Sequence, residues 1–490
     1  MASNSVDRPK DSTVVGHAEK IVREHPEFQE VFESVKNKVK AVIAGIFDDK
    51  EIRDNFKGAE IRWTAMCGEV AREILSVLGE SPDHIGLLSI GDVNLPDFVM
   101  EVARQILDRA HEYHKELAEE EGFGYDLASK GSERARSSMI GYFDRHYDFS
   151  SVPGLMEKLN SNSTITGGGM RGLDDIASAM INIADGESTA EKPIKHRFIH
   201  PDNSFGTWHS IVGLRSHKGT TAEIHKIPTD QKNLLHLTPE QVDKFYKFHP
   251  IDEGFNDSWC ITPVGNPSGT YIDADALAET CKRIVMHNPK VKIILDCTYV
   301  RTLKPDVARK LIAGVIHAPE VLDRVIFLES FSKTHGFSGE RLGAYFSANP
   351  DIYNGIQNVN MMLSAGNGRQ KSALVLALTN ATEEQENKFR ELHEFWARER
   401  EGLYTYLIKN SQFTHLFEQD QSHIDPEQLK ETLGLYVLLK LKPEVDGKQV
   451  LLETGCLGVE TTLASGRYIR FSVGKIKTPT YAKYLDTPNP

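Results

Sequence analysis

Apolar residues near the start of the chain recur at helical spacing. Phe28, Val31, Phe32, Val35, Val39, Val42, Ile43 and Ile46 are three or four positions apart, which predicts an amphipathic helix of several turns. From about residue 100 the pattern changes, and helical periods alternate with short, almost continuous apolar runs. KHRFIHP (195–201), SWCITPV (258–264), VKIILDC (291–297) and RVIFLES (324–330) are such runs. Runs of this length between helices predict strands buried on both faces of a parallel or mostly parallel sheet, hence an α/β architecture. A long charged helix is predicted over 381–407, followed by strands in GLYVLLKLKP (434–443) and GRYIRFSVG (466–474) that belong to a smaller α+β lobe.

At 490 residues the chain exceeds what one hydrophobic core organises, so at least two domains are expected. A formal net charge of −13 argues against nonspecific nucleic-acid binding, and residues 1–57 balance basic against acidic side chains, so they are no basic arm. No apolar run approaches the roughly 18 residues of a membrane span, and the first twenty residues lack the apolar core of a signal peptide. Five scattered cysteines (Cys67, Cys260, Cys281, Cys297, Cys456) form no CxxC pair, which fits free thiols in a reducing compartment and predicts a cytoplasmic protein. The reading calls for no metal, nucleic acid or membrane partner.

Four features follow predicted strands, where ligands gather in sheets of this kind. TITGGGMRGLDDIASAM (164–180) sets three glycines before a helical pattern. That arrangement gives unobstructed backbone N–H donors and a favourable dipole for phosphate, or else a plain glycine turn. VGNPSGTYI (264–272) is a turn signature in its own right, and its Asn266 also offers an amide donor to a ring hydroxyl. In ILDCTYV (294–300), Asp296 ends an apolar run where an unpaired carboxylate is disfavoured, so a cationic partner such as a protonated pyridine nitrogen suits it. Tyr299 reaches the same space. In SFSKTHGFSGERLG (330–343), Lys333 lies between small hydroxyl residues. Ser330, Ser332 and Arg341 have the chemistry of phosphate ligands. Taken singly each is a weak signal; together they are the parts needed to hold pyridoxal 5′-phosphate.

On these residues the sequence resembles the class I/II aminotransferases of the fold type I pyridoxal-phosphate enzymes. The family's NPxGT reads NPSGT (Asn266–Thr270), its D-x-x-Y reads DCTY (Asp296–Tyr299), and its S-x-S-K with arginine eight positions later reads SFSK and Arg341. The resemblance runs from about Gly86 to Gly474. The helical extension over 1–57 has no counterpart in the compact members of the family; the resemblance implies a small-domain segment over 58–104, a large cofactor domain over 105–380, and an interdomain helix with the rest of the small domain over 381–490. It implies that Lys333 forms the internal aldimine and moves the Cα proton, that Asp296 keeps the pyridine nitrogen protonated, and that Tyr299 and Asn266 contact the ring O3′. Gly168, Gly169 and Met170, through their backbone, would hold the phosphate with Ser330, Ser332 and Arg341. Tyr125 matches the tyrosine that reaches the neighbouring subunit's phosphate, which implies a homodimer with shared sites. Arg470 matches the clamp on the substrate carboxylate, and Gly91 the turn over the substrate. The family's ring-stacking aromatic falls on Asn203 in HPDNSF. A shift of two residues makes Phe205 the stacker, with Trp208 the alternative. The implied reaction is amino transfer from an amino acid to a 2-oxo acid. The alternative is another reaction on the same cofactor, namely elimination, replacement, β-decarboxylation or cyclisation.

Overall fold

The computed structural model describes residues 86–87 and 95–476, apart from 123–125, 127, 188, 190–193, 216–221, 252–253, 365–367, 410, 426–427, 429–430, 432–433 and 455. Gly91, Tyr125 and the helix expected over 28–46 therefore lie outside the described residues. The chain divides into two compact units. One comprises 95–395 with 422–434; the other takes 396–421, the chain from Leu435 on, and β1 (Gly86–Leu87).

In chain order the first unit carries α1 (Asp97–Glu121), α2 (Glu133–Tyr147), α3 (Leu155–Ser161), β2 (Ser163–Thr166), α4 (Gly169–Glu187), β3 (Lys195–Pro201), α5 (Thr207–Arg215) and β4 (Ala222–Ile227). It continues through α6 (Pro239–Phe248), β5 (Phe255–Ile261), α7 (Ala274–His287), β6 (Lys292–Asp296), α8 (Pro305–Ile316), α9 (Pro319–Leu322), β7 (Val325–Ser330), β8 (Gly343–Ser347), α10 (Pro350–Ser364), α11 (Arg369–Thr379) and the start of α12 (Glu383–Tyr404). Among the described residues its sheet has seven strands in the order β2-β8-β7-β6-β5-β3-β4. All are parallel except β8, which runs against both β2 and β7.

The four apolar runs fall on β3, β5, β6 and β7. Alternate residues of these strands feed two faces of the sheet. Ile294, Ile326 and Leu328 meet Leu173, Ile176 and Met180 of α4 and Ile352 and Ile356 of α10. On the other face Phe327 stacks on Phe346 at 5.1 Å, and Phe149 packs edge-on against both. Connections by crossover helices leave the carboxyl ends of β2, β3, β5, β6 and β7 along one edge. The reversed β8 brings its amino end to that same edge: Gly343 is opposite Thr166 on one side and Ser330 on the other.

Among the described residues the second unit holds a three-stranded antiparallel sheet, in which β12 (Gly466–Ser472) lies between β9 (Tyr436–Lys440) and β11 (Val459–Leu463). α13 (Gly447–Thr454) precedes β10 (Cys456–Leu457), which pairs with β1.

Candidate active site

The glycine loop leaves β2 at Thr166, whose hydroxyl donates to the Gly168 carbonyl at 3.1 Å and turns the loop into α4. Gly168 has φ +91°, a conformation that favours glycine. A Cβ there would be 2.9 Å from Arg341 Nη2, and one at Gly169 would be 3.4 Å from Thr298 Oγ1 and 3.5 Å from Ser330 Cβ. The loop thus presents the N-terminal amides of a 19-residue helix beside a guanidinium and a serine. Met170 follows in the first turn with an exposed side chain, consistent with a backbone role. Close approach at this edge explains a further glycine. A Cβ on Gly343 would fall 2.7 Å from the Gly168 carbonyl carbon, a distance no side chain tolerates. Arg341, two residues earlier, takes a left-handed φ of +52° and donates to the Ser338 carbonyl at 3.1 Å.

Asp296 is the last residue of β6 and is buried; the Thr298 N–H donates to its Oδ1 at 3.2 Å. Burial pushes its carboxyl up from the ordinary carboxylate range, against the hydrogen bonds from Thr298. Three positions on, Tyr299 accepts from Asn266 Nδ2 at 3.2 Å, so the NPSGT turn and the DCTY segment meet through the two groups expected at one ring oxygen. Asn203, where an aromatic was expected, has a different task. It is buried and donates to the Leu235 carbonyl at 2.8 Å and to Ser268 Oγ at 3.1 Å, which braces the NPSGT turn. Trp208 is buried in the core with its ring 6.1 Å from Phe198, while Phe205 is half-buried against the same cluster.

The lysine turn follows β7. Ser330 and Ser332 are buried and Lys333 is half-buried, with the Ser332 N–H donating to Ser330 Oγ at 3.2 Å. What holds this turn was not legible in the sequence. Arg301, two residues beyond Tyr299, is buried. Its Nη2 donates to the Ser330 carbonyl at 3.0 Å and its Nε to Glu329 Oε2 at 3.1 Å. Tyr147 donates to the other Glu329 oxygen. The guanidinium carbon is 4.7 Å from the Phe331 ring centre and 4.9 Å from that of Phe143. Burial pushes the Glu329 carboxyl up, while Arg301 pulls it down. Arg301→Met would leave that carboxylate buried without its cation and is expected to cost about 3–5 kcal/mol. The unfolding midpoint in denaturant measures this, and adding Glu329→Leu should recover part of the loss.

His335 is structural. Its Nδ1 is 2.8 Å from Thr334 Oγ1 and its Nε2 3.2 Å from Tyr142 Oη, while His393 Nε2 donates to the Thr334 carbonyl at 2.6 Å. Burial pushes both imidazoles below their ordinary value, His393 to about 4, so both are neutral at physiological pH.

Behind the glycine loop, Asp175 of α4 is buried with Arg171 Nη2 at 2.9 Å. Burial outweighs that pairing and raises its carboxyl to about 6. A carboxyl that titrates higher folded than unfolded favours folding while protonated. That contribution is complete below about pH 4 and is lost as pH rises through about 6, a change of ~3 kcal/mol. Melting curves of the wild type and Asp175→Asn should therefore shift relative to each other in favour of the variant as pH rises from 4 to 7.

In the second unit, Arg470 lies on β12 opposite Val459 and Leu438, buried, with its guanidinium carbon 4.8 Å from the Tyr436 ring centre.

The residues fit pyridoxal phosphate on two observations: a cradle in which glycine backbone, Ser330 and Arg341 close on one another, and a buried carboxylate that a ring cation would stabilise. Comparisons with known proteins agree. The family profile "Aminotransferase class I and II" matches residues 158–477. Among curated proteins none matches the chain. Several solved structures share the fold at low identity. An aspartate aminotransferase double mutant from Thermus thermophilus aligns with a TM-score of 0.58 at 15% identity, over 84% of this chain and 92% of that one. An aromatic aminotransferase from Pyrococcus horikoshii aligns at 0.59 and 16%, over 80% and 92%. BacF from Bacillus subtilis, in its apo structure, aligns at 0.56 and 17%, over 80% and 91%.

Proposed function

The chain belongs to the class I and II aminotransferases, enzymes dependent on pyridoxal phosphate, and we propose that it moves an amino group from an amino acid to a 2-oxo acid with Lys333 as the cofactor's anchor. The observation that carries this reading is the convergence at one sheet edge of the glycine loop, the Asn266–Tyr299 pair, Asp296 and the Lys333 turn with Arg341.

Pyridoxal phosphate, when bound, supplies an aldehyde for an amino group and a ring that takes up the charge left at Cα. Asp296 would hold the ring nitrogen in its protonated form, because a buried carboxylate favours a cation beside it. Asn266 and Tyr299, hydrogen-bonded to each other, would hold the ring oxygen. Gly168, Gly169, Met170, Ser330, Ser332 and Arg341 would hold the phosphate, and Phe205 would supply the aromatic face for the ring. Lys333 Nζ would anchor the cofactor's aldehyde carbon and is the amine placed to hold and move the substrate's Cα proton. By its family match Arg470 would be the residue that clamps the substrate carboxylate, with a fork that lysine cannot match, and Gly91, outside the described residues, would belong to the substrate turn.

The working unit in this proposal is a homodimer, with Tyr125 crossing to the partner's phosphate. No helix among the described residues is long and apolar enough to cross a membrane. Cys260, Cys281, Cys297 and Cys456 are buried free thiols, which supports a cytoplasmic setting. The large domain, in this reading, spans 105–380, with the small domain built from 58–104 and 381–490 around the interdomain helix. A panel of ¹⁵N-labelled amino acids, each incubated with a 2-oxo acid, tests the reaction. Label appearing in the amino acid formed from the oxo acid supports amino transfer. Release of ammonia, sulfide or carbon dioxide without such transfer would favour elimination, replacement or decarboxylation.

A further inference from the structure

The three glycines after β2 each face different side chains. Gly169 lies against Thr298 and Ser330, and Gly168 against Arg341; Ser330 and Arg341 are groups already assigned to the phosphate. A Cβ on Gly167 would be 3.4 Å from Lys371 Nζ. Lys371 lies thirty residues beyond Arg341, in the first turn of α11, and none of the sequence motifs includes it.

Its setting is unfavourable for a lone cation. The side chain is half-buried, and among the described residues no carboxylate or carbonyl lies within hydrogen-bond distance of its ammonium. A positive charge in a helix's first turn also opposes the helix dipole. Burial, and then the neighbouring Arg171, push the ammonium's pKa down, and the Asp175 carboxylate only partly opposes them. Each of these penalties is relieved by an anion at the glycine loop.

We propose that Lys371 is a second cation for the cofactor phosphate, opposite Arg341 across the loop. This rests on reading the loop as the phosphate cup. A phosphate dianion there would meet Arg341 on the Gly168 side and Lys371 on the Gly167 side, so its two charges are matched by two cations. Arginine supplies a directional fork; lysine supplies a compact point charge that does not demand a fixed orientation.

The test is equilibrium binding to the full-length chain stripped of cofactor, with pyridoxal 5′-phosphate and with pyridoxal, which has the same ring but no phosphate. Lys371→Gln is expected to weaken pyridoxal-phosphate binding by about tenfold to a hundredfold, the range for losing a charge-assisted hydrogen bond, and to leave pyridoxal binding unchanged. Lys371→Arg should retain most of the affinity, and melting of the stripped proteins checks that each variant folds. Unchanged pyridoxal-phosphate affinity in Lys371→Gln, or equal losses for both ligands, overturns the proposal. Arg341→Gln run beside it separates two failures. If only Arg341→Gln weakens phosphate-dependent binding, the cup stands and Lys371 is not part of it. If neither variant does, the reading of the cup itself falls.

Discussion

Lys333→Ala is expected to abolish amino transfer, by ~10⁴-fold or more, the upper range for a positioned proton-transfer group, and to leave the fold intact. The turn that carries Lys333 is held by other atoms. The Phe331 N–H donates to the Leu342 carbonyl at 3.1 Å, Arg301 to the Ser330 carbonyl, and His393 to the Thr334 carbonyl. Alanine at 333 touches none of these. Turnover of the best amino donor, measured beside the melting temperature, checks both halves of the expectation. A variant that melts like the wild type and still transfers amino groups would remove Lys333 from the mechanism.

Asp296→Asn is expected to lower turnover by ~10²–10³-fold, the usual effect of deleting one preorganised electrostatic group. Stability should move the other way. Burial raises the Asp296 carboxyl, so charge there carries a desolvation cost in the stripped protein, and a neutral amide of the same shape relieves that cost. The cofactor-free variant should therefore melt at or above the wild-type temperature. Lost activity with undiminished stability distinguishes a carboxylate kept for its ligand from one kept for folding. If the variant were less stable and equally active, Asp296 would be a structural carboxylate.

The candidate site residues were legible because each motif is local in sequence. Glycines before a helical period, Asp and Tyr three apart, and Lys and Arg eight apart all keep their spacing in the chain, and strands β5, β6 and β7 are near-continuous apolar runs. The strands that escaped notice lack that signal. β2 reads STIT yet is wholly buried, and β4 reads AEIHKI at the sheet edge, half-exposed for most of its length. β8 is five residues long and reverses direction, yet its position between β2 and β7 is what brings Arg341 to Gly168. The supports were hidden for another reason: their partners are remote. Arg301 meets Glu329 twenty-eight residues on, Tyr147 reaches Glu329 from α2, and Asn203 reaches Ser268 across two strands. Nothing in a lone arginine or asparagine announces such a contact.

The central claim is that Lys333 carries the cofactor. Borohydride reduction of the resting full-length enzyme, followed by proteolysis and mass spectrometry, tests it most directly, because reduction fixes the cofactor on whichever lysine holds it. The account predicts the added mass of reduced cofactor on the peptide containing Lys333, and no label on Lys371. Label on a different lysine, or an enzyme that transfers amino groups yet takes up no label, would contradict it.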